Sequence, residues 1–285
     1  MTPLRQQMEQ DMVLRGMSPR TREAYLGAVF GLAKYYRRAP DNLSEAEVQA
    51  YLLHLMQERK LAWSSCNIVR HGLRFLYQVT LGRAPSQLCI PGARRPQKLP
   101  QILSREEVAQ LLNTTANAKH RALLMTTYAA GLRVSEVVHL KVSDLDSQRM
   151  TLRVEQGKGG KDRYSLLSPR LLEELRRYWV VERPNEWLFP GPKQRDPITI
   201  STAQRVFERA KRRARITKAG GIHSLRHAFA THLLESGADV HTIQRLMGHR
   251  DIATTQRYFH LAQKHLSQTP SPIELLSLPQ PTPRF

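Results

Sequence analysis

Apolar residues in the first 84 positions recur at helical spacing and predict a bundle of four helices. Thr2-Pro3 and Ser18-Pro19 each place a capping residue before a proline, which is how helices often begin. The third helix starts at a capping box, Ser44 to Glu47, and the fourth follows Ser64 and Ser65 and runs to Gly82. We expect the apolar stripes of these helices to form a core, including Ile68 and Met56.

The pattern changes after residue 100 and predicts a mixed domain. A capping box at Ser104 and Glu107 opens it, and a later helix breaks at Gly131, before a new helix capped by Ser135. Apolar and polar residues then alternate over 150–155 and again over 163–167, so two strands are expected around a glycine-rich tip at 156–161. Helices are predicted again from Ser168 and over 205–218, which makes the fold mainly α with a small β-hairpin.

Composition divides the chain into four parts. Residues 1–84 are the helical domain, 85–100 form a proline-rich linker, 101–266 form the larger domain, and 267–285 form a tail with five prolines. The tail is either a disordered end or a segment that docks on a neighbouring protomer.

The formal charge of +20 indicates a polyanionic partner. Residues 1–100 contain 15 basic and 7 acidic groups, so the excess is shared by both domains, which suggests that both touch the same polyanion, as in a clamp. A generally basic protein is the alternative. The cations expected to contact the phosphates of such a polyanion are Arg20, Arg22, Arg70, Arg74, Arg94, Arg95, Lys161, Arg163, Arg212 and Arg213. No long apolar run or leader is present, and the two cysteines lack zinc-ligand spacing, so we expect a cytoplasmic, nucleoid-associated protein.

Candidate chemistry is concentrated between residues 222 and 260. His223 and Arg226 lie three apart on one predicted helix face, Gly248-His249 follows, and Tyr258 comes nine residues after that histidine. Tyr258 is expected on a helix capped by Asp251. With Arg133 from the glycine break, these groups suit phosphoryl transfer, because arginine forks match phosphate oxygens and cations favour a tyrosine phenolate. Lys158, on the hairpin tip, is the candidate general acid.

Metal and nucleotide sites are not expected. His223 and His227 have zinc-ligand spacing, but the residues between them lack the glutamate of a metalloprotease helix, so His227 is interpreted as a packed histidine. The glycines at 157–160 do not form a phosphate-binding loop that runs from strand into helix. We therefore predict no cofactor.

The ordered motifs resemble those of the tyrosine recombinases (phage integrase family), nearest the short Xer-like type. They are GLRVSE (131–136), GKGGKDR (157–163), HSLRH (223–227), LMGH (246–249) and TTQRY (254–258). The resemblance implies a SAM-like, four-helix core-binding domain before a mixed α/β catalytic domain. It also implies that Arg133, Lys158, His223, Arg226 and His249 surround a DNA phosphate that Tyr258 attacks, with Glu136 orienting an arginine.

The same resemblance implies site-specific DNA recombination or integration by a homotetramer on paired double-stranded sites, through a covalent 3′-phosphotyrosine and without metal or ATP. The chain is also similar to integron integrases, but their inserted segment is missing between Tyr164 and Ile222. Two alternatives stay open. A type IB topoisomerase uses the same residues to relax DNA, and a catalytically idle DNA-binding protein would keep the clamp without the reaction.

Overall fold

A computed structural model of the chain describes residues 2–84, 101–155, 162–249 and 255. The chain separates into two units, Met1–Gln97 and Lys98–Phe285. The predicted linker, the hairpin tip at 156–161 and the tail lie outside the described residues.

The N-terminal unit contains the four predicted helices. They are α1 (Pro3–Leu14), α2 (Pro19–Tyr36), α3 (Glu45–Gln57) and α4 (Trp63–Phe75), and a π-helical turn, Leu76–Thr80, continues the last one. The capping box at Ser44 and Glu47 is formed as expected, because each side chain bonds the other residue's backbone N–H. The fourth helix begins at Trp63, one residue before the predicted serines.

Helices α2 and α4 pack closely in the core of this unit. A Cβ atom added at Gly72 would lie 3.1 Å from the Cα of Tyr25 and 3.1 Å from the Cβ of Ala28, so any larger residue would push the two helices slightly apart. The expectation for Ile68 and Met56 is wrong, because they are 47% and 43% exposed. Their helices are fully covered on one side only, and these two positions fall outside that side.

The C-terminal unit combines seven helices with one sheet in the residues that the structure describes. The helices are α5 (Arg105–Asn113), α6 (Ala118–Ala129), α7 (Val134–Val138), α8 (Pro169–Glu182), α9 (Ile200–Arg213), α10 (His223–Glu235) and α11 (Val240–Met247). The strands are β1 (Leu145–Asp146), β2 (Thr151–Val154) and β3 (Arg163–Leu166). The mainly α fold class with a small β element is confirmed.

The sheet is antiparallel in the order β1-β2-β3, and Val154 pairs with Arg163 next to the tip. The predicted alternation is confirmed, because Leu152 and Val154 point into the core. The sequence did not predict β1, which has only two residues and therefore carries no period that could be recognised.

Helix α10 lies at the centre of this unit, with nine buried residues among its thirteen. Helix α9 is different, since Ala203, Val206, Phe207 and Ala210 are buried while Arg212 and Arg213 are exposed. A surface helix with a basic outer face was predicted there. Within the described part of the chain, no helix has the length and apolar character needed to cross a membrane.

Candidate active site

A buried carboxylate, Glu136, lies at the centre of the site. Helix α7 begins directly after Arg133, which is its N-cap in place of the predicted Ser135. The break is sharp because Gly131 has a φ of +60° and an added Cβ would lie 2.3 Å from Cδ1 of Phe229. Glu136 is the third residue of α7, and its carboxylate accepts the backbone N–H of Arg133 at 2.7 Å. The same carboxylate accepts a second hydrogen bond, from Nη1 of Arg133 at 2.7 Å, which holds that guanidinium beside the first turn of α7.

Arg226 approaches the same carboxylate from α10. Its Nη1 lies 3.6 Å from Oε2 of Glu136 and donates to the carbonyl of Gly131 at 2.6 Å, while Nη2 donates to the carbonyl of Met247 at 2.5 Å. The side chain is only 1% exposed. Arg226 therefore lies beneath the surface and connects the break at Gly131 to the end of α11. Arg133, in contrast, keeps 22% of its side chain exposed.

Arg163, on β3, is the third arginine on Glu136. Nη1 and Nη2 donate to the two carboxylate oxygens at 2.8 Å each, and Nε donates to the carbonyl of Leu246 at 3.0 Å. Arg163 was expected to contact DNA, but its side chain is only 10% exposed, and each of its three nitrogens donates a hydrogen bond inside the protein. Arg163 instead connects the hairpin to α7 and α11.

The charges around Glu136 control its protonation. Burial alone would raise the pKa of this carboxyl, but the hydrogen bonds and charge of Arg163, the backbone N–H of Arg133 and the charge of Arg226 outweigh burial and lower it to about 2. Glu136 is therefore ionised at neutral pH, and the four groups together carry a net charge of +2.

His249 follows α11 through Gly248, which ends the helix in the left-handed conformation with a φ of +62°. A Cβ there would lie 2.7 Å from Cδ of Arg163, so a larger residue would disturb that arginine. Burial, and then the charges of Arg226, Arg133 and Arg163, lower the pKa of His249 to about 3. Its imidazole is therefore neutral at pH 7.

His223 occupies the first position of α10, one turn before Arg226. Burial and the charges of Arg226 and Arg133 lower the pKa of His223, and they outweigh the opposite influence of Glu136. The ring of His227 packs against that of His223 at 82°, with 4.6 Å between the centroids, and burial and His223 lower its pKa to about 4. Among the described residues no group of three or more metal-ligating side chains is found.

The structure thus brings together Arg133, His223, Arg226 and His249 of the six predicted catalytic residues. Lys158 and Tyr258 lie outside the described residues. Sequence reasoning assigned Glu136 a supporting role but missed that it unites three arginines. Arg163 was missed as one of them because nothing in the hairpin pattern indicates where an arginine at a strand start will point.

The cations predicted to contact DNA differ in their surroundings. Arg20, Arg212 and Arg213 are exposed, and Arg22 is partly covered, with Nη1 3.9 Å from Glu9. Arg70 and Arg74 are partly buried on α4. Arg94, Arg95 and Lys161 lie outside the described residues.

Comparison with known proteins identifies the class. Residues 101–265 match the phage integrase family, and residues 4–86 match the N-terminal SAM-like domain of phage integrases. The integrase/recombinase homologue y4qK of Sinorhizobium fredii is 50% identical over 99% of this chain and 92% of its own length. Tyrosine recombinase XerC of Lactobacillus leichmannii is 31% identical over 89% of this chain and 92% of its own.

Solved structures share the fold. A crystal structure of XerA recombinase matches with a TM-score of 0.55 and 28% identity, over 93% of this chain and 95% of that one. A complex of XerH site-specific recombinase with a palindromic difH substrate matches with a TM-score of 0.72 and 22% identity, over 89% and 80%. The chain belongs to the phage integrase family. Within that family it is an Xer-like tyrosine recombinase, and therefore an enzyme.

Proposed function

We propose that this enzyme performs site-specific recombination on double-stranded DNA through a covalent 3′-phosphotyrosine, with no metal and no ATP. One observation carries the proposal: Arg133 and Arg226 are held on one buried carboxylate beside two neutral histidines. Such a pocket is cationic and preorganised, and it suits a phosphate whose negative charge increases in the transition state. The DNA complex of XerH, which has the same fold, supports DNA as the substrate.

The reaction assigns one role to each group. The Tyr258 hydroxyl oxygen attacks phosphorus and forms the phosphotyrosine bond as the bond to the 5′ oxygen breaks. Neutral His223 accepts the phenolic proton, and Lys158 gives a proton to the leaving 5′ oxygen. Attack by a 5′ hydroxyl then reverses these steps and rejoins a strand. The phosphotyrosine stores the energy of the broken bond, so rejoining requires no ATP.

The two catalytic arginines act differently. Arg133 has an exposed edge and is the direct phosphate ligand. Arg226 is almost fully buried and bound to two carbonyls, so we assign it mainly as a fixed positive charge below the phosphate. Burial strengthens this contribution, because a charge in a low-dielectric interior is screened less than one in water.

DNA binding involves both units in this proposal. The exposed face of α9 with Arg212 and Arg213, and the cations Arg20, Arg22, Arg70 and Arg74 of the first unit, bind phosphates, as do Arg94, Arg95 and Lys161. Four protomers join two sites, and the segments 1–84, 85–100, 101–266 and 267–285 serve as core-binding domain, linker, catalytic domain and tail. Arg163 is not assigned a DNA contact, because its guanidinium is bound to Glu136.

Trapping the covalent intermediate tests the proposal. The target is located by footprinting, and a duplex with a nick beside the cleavage position is then offered, so that a short 5′ product diffuses away and rejoining is blocked. We expect wild type and the Tyr164→Phe control, which alters an exposed tyrosine, to form a denaturant-resistant DNA adduct. Tyr258→Phe should form none.

The alternative functions predict other results. Absence of an adduct from wild type on the footprinted duplex would indicate a catalytically idle DNA-binding protein. Efficient relaxation of any supercoiled plasmid, with no dependence on a paired site, would indicate topoisomerase activity. Either result overturns the proposed recombination.

A further inference from the structure

His249 is held from several directions by two neighbours. Gln244 contacts the backbone twice: its carbonyl accepts the His249 N–H at 3.2 Å, and its side-chain Nε2 donates to the His249 carbonyl at 3.2 Å. Thr255 contacts the ring, with Oγ1 2.8 Å from Nδ1. Because Thr255 is buried, with 2% exposure, water does not compete freely for this hydroxyl. Gln244 therefore fixes the backbone of His249, and Thr255 fixes the hydrogen bond at one ring nitrogen, Nδ1.

We propose that Thr255 is a positioning residue that donates its hydroxyl hydrogen to Nδ1 of His249 and so keeps the ring proton on Nε2. This inference rests on the proposed function, since it concerns the nitrogen that His249 presents to the phosphate. In the part of the chain that the structure describes, Nε2 makes no hydrogen bond.

The direction of the bond follows from charge. Burial, and then the charges of Arg226, Arg133 and Arg163, lower the pKa of His249 and keep the imidazole neutral, so it has one N–H and one lone pair. A phosphate oxygen is attracted by an N–H and repelled by a lone pair. A pocket that binds an anion therefore requires the proton on Nε2, and Nδ1 must then accept a hydrogen bond. A threonine hydroxyl supplies that donor without adding charge.

The tautomer can be measured directly on the full-length enzyme. Nitrogen-15 NMR of histidine-labelled protein distinguishes a protonated ring nitrogen from an unprotonated one, and a His249→Gln variant assigns the signals. We expect wild type and Thr255→Ser to show the proton on Nε2. Thr255→Val, which removes the hydroxyl while keeping the shape, should give a mixture of tautomers. Single-turnover cleavage should fall about tenfold in this variant, as for loss of one hydrogen bond.

Thr231→Val is the matched control. Thr231 is also buried, on α10, and its hydroxyl has no partner among the described residues, so the same substitution should leave the His249 signals unchanged. A proton on Nδ1 in wild type, or unchanged tautomer signals in Thr255→Val, would overturn the inference. The NMR result requires no turnover. Failure of wild type to form the covalent adduct would therefore refute the proposed function separately.

Discussion

Replacing Glu136 by glutamine removes the charge that three arginines share, while keeping the shape of the side chain. The fall of its pKa from 4.5 to about 2 corresponds to about 3 kcal/mol, at 1.36 kcal/mol for each pKa unit. Removing one partner of a buried ion pair commonly costs about 3–5 kcal/mol, which agrees in size. We therefore expect Glu136→Gln to lower the free energy of unfolding of the C-terminal unit by about 3 kcal/mol at pH 7.

Urea unfolding of the full chain, followed by circular dichroism and tryptophan fluorescence, measures this loss. Glu186→Gln is the matched control: its carboxylate pairs with Lys141 at 3.1 Å but is 60% exposed, so a much smaller loss is expected. The same experiment at several pH values tests the origin of the effect. Because the folded pKa of Glu136 lies below the unfolded value, its contribution is complete above about pH 4.5 and is lost as pH falls towards 2.

The difference in the free energy of unfolding between wild type and Glu136→Gln should therefore fall to less than half of its pH 7 value by about pH 3. Two results would refute this reasoning. One is a loss at pH 7 no larger than that of Glu186→Gln, which would mean that the three arginines do not depend on the carboxylate. The other is a difference that stays constant down to pH 3, which would assign the loss to packing and not to charge.

Three further predictions follow from the same region. Gly131→Ala should destabilise the protein by about 1–3 kcal/mol more than Gly237→Ala in urea unfolding, because both have positive φ but only Gly131 has a close neighbour, Phe229, where the Cβ would lie. Arg163→Lys should lose stability and single-turnover cleavage through its lost fork to Glu136, whereas Arg177→Lys, in an exposed pair, should change neither. His249 should stay neutral in an NMR titration down to about pH 4; because its folded pKa lies below the unfolded value, its contribution to stability decreases as pH falls below 6.5.

Much of the fold could be predicted from local signals. The capping boxes at Ser44 and Ser104 and the proline-initiated helix at Ser18 produced helix starts at the expected residues, because these side chains bond the first turn directly. The alternation of apolar and polar residues predicted the hairpin, because this pattern depends only on residues that are adjacent in the chain. The exposure of Ile68 was not predictable in this way, because it depends on which faces of α4 other helices cover.

The site was predicted by residue type but not by arrangement. Glu136 could have been recognised as the third residue of a helix, yet its partners Arg163 and Arg226 lie 27 and 90 positions further along the chain, and no periodic pattern connects such positions. Gly248 shows the same limit. Its left-handed conformation is readable from glycine at a helix end, whereas its contact with Arg163 depends on the packing of β3 against α11.

Glu136 also has a consequence for the proposed reaction. Without it, three arginines would place a charge of +3 below the phosphate, and repulsion among them would work against the fold. With Glu136 ionised and both His223 and His249 neutral, the described groups carry +2. A phosphodiester carries one negative charge, and the five-coordinate phosphorus formed by attack of a phenolate carries about two. In the proposed reaction His223 has by then accepted the phenolic proton, so the described groups carry +3 while the five-coordinate phosphorus is present. Stronger stabilisation of the transition state than of the substrate is what accelerates a reaction, so in the proposed reaction the buried carboxylate contributes by holding the arginines in place against their mutual repulsion.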